Sequence, residues 1–261
     1  MGSKGRLRVE RDGPIGRLVL DNPERRNAIN ADMWRAIPAA IAGFEADPAV
    51  RCIVLRGEGN VAFAAGADIS EFEQNRSSEA DVRAYEQATG AAHQAIERTG
   101  KPVIALIHGF CVGGGMAVAL SCDLRYADAA SRFAIPAARL GLGYGARGTG
   151  RLVATVGHAM AREIMFSARR YSAEEALAMG LVHRVLPAAE LDEYVNGVAR
   201  ELADNAPLTI AASKATMNAL IESDSDFSAA EAAVERCMKS QDYIEGRRAF
   251  MEKRKPVFQG K

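Results

Sequence analysis

From residue 14 to about 135, short β-rich apolar runs alternate with helical patterns, and that alternation confines the chain to an α/β architecture. Pro14–Leu20, Arg51–Gly57, Pro102–Ile107 and Asp123–Ala127 read as strands. Between them, Ala31–Glu45 and Ala80–Arg98 carry apolar residues at helical spacing, with Pro38 placed to kink the first or delay its start. Beyond Gly148 the pattern turns helical, through Thr149–Val156, His158–Ser167, Ala173–Met179, Leu191–Asp204, Pro207–Ile221, Phe227–Lys239 and Asp242–Lys255. Ser172 and Glu175 have capping-box spacing, and Pro207 suits a first helical turn. A soft boundary near Asn205 divides an α/β core, residues 1–205, from a helical region, residues 206–261.

Thirty-three basic side chains balance thirty-three acidic ones in 261 residues, so no net field draws nucleic acid or an anionic membrane. The four cysteines are widely spaced with no CxxC, which fits a reduced, cytoplasmic protein without disulfides or a metal cluster. The amino-terminal MGSKGRLRV has no apolar signal core, and no apolar run is long enough to span a bilayer.

The segment Lys101–Asp123 is where chemistry is expected. A buried strand, Pro102–Ile107, turns through Val112–Gly113–Gly114–Gly115 into a small-residue helix whose first N–H groups have no helical acceptor. Those donors, with the helix dipole behind them, favour negative charge, and one oxyanion donor in a dry site contributes about 3 kcal/mol to a transition state. A second loop, Phe63–Ala–Ala65–Gly66–Ala67–Asp68–Ile69, has the small residues that let a ligand approach the backbone and supplies a second N–H.

Read in order, Asp21–Asn22–Pro23 with Asn27–Ala28–Ile29–Asn30, FAAGADI, HGFCVGGG with CDLRYA, and EGRRAFMEKRKPVF resemble the successive signatures of the crotonase superfamily, the enoyl-CoA hydratase/isomerase family. The resemblance spans nearly the whole chain. It implies a spiral of repeated ββα units, a helical C-terminal region that builds homotrimers or dimers of trimers, an acyl-CoA thioester as ligand and no separate cofactor. It also implies an oxyanion hole made by the N–H groups of Ala67 and Gly114. By the same resemblance Arg25, Arg26, Ala28, Ala65, Asp68, Ile69 and Gly113 contact the CoA ester, with Lys255 and Phe258 serving a neighbouring subunit.

The chain departs from that pattern where proton transfer is expected. The two glutamates of the family's hydratases align with Ala117 and Ala137, and no acidic residue occurs between Asp128 and Glu163. Losing one general acid or base lowers a rate on the order of a hundred- to ten-thousand-fold. The loop Arg139–Leu140–Gly141–Leu–Gly143–Tyr144–Gly145–Ala–Arg147–Gly148 instead offers Tyr144, which resembles in spacing the tyrosine of the family's methylmalonyl-CoA decarboxylases. Those enzymes carry a histidine where this chain has Ala67. A malonyl-type thioester forms its enolate by losing carbon dioxide and needs no carboxylate base, with Arg139 or Arg147 available to orient the departing group and Leu140 beside it. Hydration by atypical acids and bases, or acyl-CoA binding without turnover, are the competing readings. The formal GxGxxG at Gly143–Gly148 lacks the preceding strand of a dinucleotide loop. His108, at a strand end beside Gly109, is expected to be a structurally satisfied histidine, and His93, His158 and His183 receive no role.

Overall fold

The computed structural model describes residues 5–68, 78–221 and 226–261. The four predicted strands all form, and they lie side by side because they are buried along nearly their whole length. β2 (Ile15–Asp21), β3 (Cys52–Gly57), β5 (Val103–Ile107) and β7 (Leu124–Asp128) pair in parallel in that order. β1 (Arg6–Asp12) joins β2 antiparallel at one edge, and β10 (Arg184–Leu186) joins β7 in parallel at the other. A second sheet, of order β4 (Ala62–Ala64), β6 (Phe110–Val112), β8 (Arg132–Ala134) and β9 (Tyr171–Ser172), consists of strands too short to announce themselves by periodicity.

The repeat follows from this pairing. β3–β4 leads to α2 (Glu79–Arg98), β5–β6 to α3 (Gly114–Ser121), and β7–β8 to α4 (Ala146–Ser167). Each unit places its first strand in the large sheet and its second in the small one, so the expected ββα spiral is present.

Apolar side chains cover both faces of the large sheet. On one, α1 (Ala31–Ala46) and α2 to α4 share a core containing Trp34, Ile37, Leu55, Ile96, Ile107 and Leu152. On the other, α6 (Ala188–Asp204) sets Leu191, Val195 and Ala199 against Ile15, Val54, Ile104 and Leu106. Burial of each large aliphatic side chain there contributes about 1.5–3 kcal/mol.

Several local expectations meet their outcome here. Asn30 caps α1, its side chain accepting from the Met33 N–H at 2.8 Å, and the helix runs through Pro38 without delay because Met33, Trp34, Ile37, Ile41 and Phe44 bury one continuous face. α4 carries Gly157 at φ 75°, which divides it near the expected place. The capping box opens α5 (Ala173–Ala178) as the spacing predicted. α7 (Pro207–Ile221) is tied to the core by Lys214, whose ammonium donates to the Ile96 and Lys101 carbonyls and to Asp123 at 2.8 Å. α8 (Ser228–Met238) and α9 (Gln241–Glu252) follow. Among the described residues no helix is long and apolar enough to cross a membrane.

Candidate active site

A cavity of about 520 Å³ opens between α2, α3, the Ala65–Ala67 loop and the segment Ile135–Gly148. Its size falls in the range of small-molecule sites. The sequence folds this way locally because two glycines permit it: Gly66 at φ 119° and Gly113 at φ 53° take backbone conformations that side chains disfavour. Their turns bring the Ala67 and Gly114 amides to one wall. A Cβ placed on Gly114 would stand 3.2 Å from the Ala67 nitrogen, so the absence of a side chain keeps the space before both N–H groups open. Among the described residues neither N–H has a backbone acceptor, whereas the flanking Asp68 and Gly113 amides donate to the Ile29 and Ala134 carbonyls. Two free donors at one wall can both bond a single oxygen.

Ala117 and Ala137 also line this cavity, so the two positions expected to carry glutamate present methyl groups to it. Tyr144 lines it too, with its ring against Gly148, where a Cβ would lie 2.8 Å from the ring. Its hydroxyl is buried without a hydrogen-bond partner among the described residues. Burial, and less so the neighbouring Cys111 sulfur, pushes the phenol up to about 12, so it remains protonated at neutral pH.

The sequence reading missed the contribution of α2. Tyr85, Glu86, Thr89, His93 and Glu97 all face the cavity, at helical spacings of three and four. Glu97 is 1% exposed, accepts from the Ser121 hydroxyl at 3.2 Å, and lies 3.1 Å from Arg151 and 3.5 Å from Arg147. An acid therefore reaches the cavity from a helix remote from the acid-free stretch. His93 packs edge-on against Trp34, ring centres 5.3 Å apart, and burial assisted by the Arg147 charge lowers it to about 4. The one signal in the sequence was this polar stripe interleaved with the apolar Ala92 and Ile96.

The other expected residues divide into two groups. Ala65, Gly113 and Leu140 line the cavity. Arg25 pairs with Asp68 at 2.8 Å, Arg26 lies over the Phe110 ring at 5.0 Å and its carbonyl accepts from the Ala65 N–H, and Ala28 is buried; none of these four side chains lines the cavity. Arg139 is exposed at the end of a short 3-10 turn and also stays outside, while Arg147 lines the wall. Lys255 pairs with Asp204, and Phe258 lines a separate depression of about 380 Å³ with Tyr243, Arg247 and Phe250. Ile69 lies outside the described residues. The GxGxxG stretch follows the 3-10 turn Pro136–Arg139 rather than a strand.

His108 is satisfied, as expected, just past the end of strand β5. Its Nδ1 meets Asp128 at 2.9 Å and its Nε2 meets Asp192 at 2.6 Å. Burial opposes its charge, but these bonds and the two carboxylates outweigh burial and raise it to about 9. The residues that could hold a metal do not cluster: no group of three or more His, Cys, Asp or Glu side chains is poised for one among the described residues.

Comparison with known proteins agrees with this architecture. Residues 10–261 match the family model described as enoyl-CoA hydratase/isomerase. A short-chain-enoyl-CoA hydratase of Clostridium acetobutylicum is 34% identical over 249 residues, 95% of each chain. A carnitinyl-CoA dehydratase of Salmonella typhi is 34% identical over 261 residues, 98% of each chain. The crystal structure of an enoyl-CoA hydratase/carnithine racemase from Magnetospirillum magneticum superposes with a TM-score of 0.92 at 34% identity, covering 98% of this chain and 96% of that one. With a crotonase fold, and with relatives matched end to end, the chain belongs to the enoyl-CoA hydratase/isomerase family of acyl-CoA enzymes.

Proposed function

We propose that this chain binds an acyl-CoA thioester with its carbonyl oxygen between the Ala67 and Gly114 N–H groups, stabilises the enolate there, and uses Tyr144 as the proton donor. The reaction that suits these residues best is decarboxylation of a malonyl-type thioester. The bond from the α-carbon to the carboxylate breaks, its electron pair enters the thioester carbonyl, and carbon dioxide leaves. The α-carbon then takes the Tyr144 proton, and the phenolate is reprotonated from water. The observation that carries this reading is the neutral wall of Ala67, Ala117 and Ala137 around two unpaired N–H groups, with a buried, protonated, unpartnered phenol on the same cavity. Such a wall spares a departing carboxylate the repulsion of a neighbouring acid. Arg139 is too exposed to orient that carboxylate, and Arg147 already faces Glu97.

One observation favours a second reading. Glu97 brings a buried carboxylate to the same cavity, and the relatives are named as a hydratase and a dehydratase, so hydration with Glu97 as the proton carrier competes. Mass-resolved product analysis separates the two. Incubation with malonyl-, methylmalonyl- and ethylmalonyl-CoA is expected to give loss of carbon dioxide that Tyr144→Phe reduces on the order of a hundredfold or more. Water addition to crotonyl-CoA, abolished by Glu97→Gln with Tyr144→Phe active, would establish the hydratase instead. Tight binding of every ester with no product would reduce the chain to an acyl-CoA-binding protein.

The same reading makes the protein a cytoplasmic homotrimer or dimer of trimers that needs no separate cofactor. It is supported by the apolar side chains the last helices leave in solvent, including Leu220 at 63%, Phe250 at 82% and Met251 at 80% exposure. Light scattering on the eluting protein gives the subunit number directly, and a monomer at micromolar concentration would refute it.

A further inference from the structure

Gly90 sits in the middle of α2 and lines the cavity, yet nothing local requires a glycine there. Its φ is not positive, and a Cβ built on it would meet no atom within 4 Å. Glycine is also among the poorest helix formers. Gly43, Gly150 and Gly197 are equally open in other helices, but none of them borders the cavity. At Gly90 the missing side chain therefore adds its space to the cavity itself. That cavity is already marked for a ligand by the Tyr144 hydroxyl and the His93 Nε2 on its wall, both buried and unpartnered among the described residues.

The added space has a definite place. Trp34 joins two walls: its Cζ2 stands 3.3 Å from a Cβ built on Gly114, and its ring meets His93 edge-on. Gly90 is one helical turn from His93 on the same face of α2, so it borders the part of the cavity that lies before the Gly114 N–H. Ala117 is one turn from Gly114 on α3, about 5 Å along that wall. The Pro136 ring comes within 3.9 Å of a Cβ built on Gly113, which brings its neighbour Ala137 to a third side.

Around the first carbons of a bound acyl group the protein thus offers one hydrogen and two methyl groups, with Leu120, Ile135 and Leu142 among the other lining residues. A straight chain threads such a space without filling it, and unfilled space forfeits dispersion contacts on every wall. A branch or a ring next to the thioester fills it. We infer that the preferred substrates are CoA esters of bulky apolar acyl groups, branched or ring-bearing at the carbon next to the thioester, with Gly90 as the residue that admits the bulk. This rests on the assignment of the Ala67–Gly114 wall to the thioester, but not on which reaction follows.

Calorimetric titration with butanoyl-CoA, heptanoyl-CoA and cyclohexanecarbonyl-CoA tests it, since none of the three can add water or lose carbon dioxide. Each further buried methylene contributes about fourfold in affinity, so the ring ester is expected to bind about ten- to hundredfold more tightly than butanoyl-CoA. It should also bind about tenfold more tightly than heptanoyl-CoA, which carries the same number of carbons but has more rotors to freeze. Gly90→Leu should bring the ring ester down to the affinity of butanoyl-CoA, and because leucine is the better helix former the unfolding midpoint should hold or rise. Gly43→Leu, at an equally open position on α1 outside the cavity, should keep the preference. A ring ester that binds no more tightly than heptanoyl-CoA, or a preference that survives Gly90→Leu, overturns the inference and leaves the thioester site standing. Failure of every CoA ester to bind overturns both.

Discussion

His108 and His93 are the same side chain in two opposite settings. His108 lies between Asp128 and Asp192 with both ring nitrogens bonded, and its pKa is raised to about 9. His93 lies against Trp34 on the wall of the cavity, its Nε2 unpartnered, and its pKa is lowered to about 4. The first joins strands β5 and β7 to helix α6 and has no bonding capacity left over. The second sits among unmet donors and acceptors, where capacity is held for something else. A saturated polar cluster stabilises a fold, whereas an unsaturated one costs stability and marks where a ligand belongs.

The contrast breaks most visibly at His108. His108→Leu leaves Asp128, which is 2% exposed, as a buried charge without its imidazolium, at a cost of about 3–5 kcal/mol. Urea unfolding should show that loss, with little change in turnover per folded molecule; a loss below about 1 kcal/mol would mean the cluster is not saturated as described. Next comes the cavity wall. Gly114→Ala puts a methyl group 3.2 Å from the Ala67 nitrogen and should cut turnover on the order of a hundredfold, equivalent to about 3 kcal/mol, with the unfolding midpoint nearly unchanged.

A pH series sharpens the comparison between the two rings. A histidine raised from 6.5 to about 9 in the folded state contributes stability fully present below pH 6.5 and lost as pH rises through 9. The loss should be about 2 kcal/mol, discounted because Asp192 is 41% exposed, and His108→Gln should flatten it. His93 has the opposite sign: lowered in the folded state, it makes no difference above pH 6.5 and destabilises as pH falls from there towards 4. His93→Phe should therefore improve resistance to acid. Trp34→Phe removes an N–H that has no hydrogen-bond partner among the described residues, together with part of a fully buried ring. Any stability loss should be the modest cavity cost of the smaller ring, about 1–3 kcal/mol, with no added penalty for a lost hydrogen bond, which urea unfolding of Trp34→Phe measures.

Much of the site's backbone was legible in the chain itself. The glycine triplet after a buried strand announced a turn into a helix with free N–H groups, because a positive φ and a close approach are local demands that only glycine meets cheaply. The capping box at Ser172 and the Pro207 helix start were readable for the same reason. The acid-free stretch from Asp128 to Glu163 was read correctly as sequence, yet it concealed Glu97, since residues from α2 and α4 meet only after both helices pack on the sheet. Arg139, adjacent in sequence to the loop that forms the wall, is exposed instead, because as the last residue of the Pro136–Arg139 3-10 turn it sits on the solvent side.

Sequence alone thus determined what depends on neighbours along the chain: strand and helix periods, caps, glycine turns, and family motifs in their order. Tertiary structure alone decided which side chains share a cavity and which are saturated, since those contacts join residues such as His108 and Asp192, 84 apart, and Lys214 and Asp123, 91 apart. Periodicity is set by local backbone geometry, but the partner of a polar atom is set by packing, and packing brings together what the chain keeps apart.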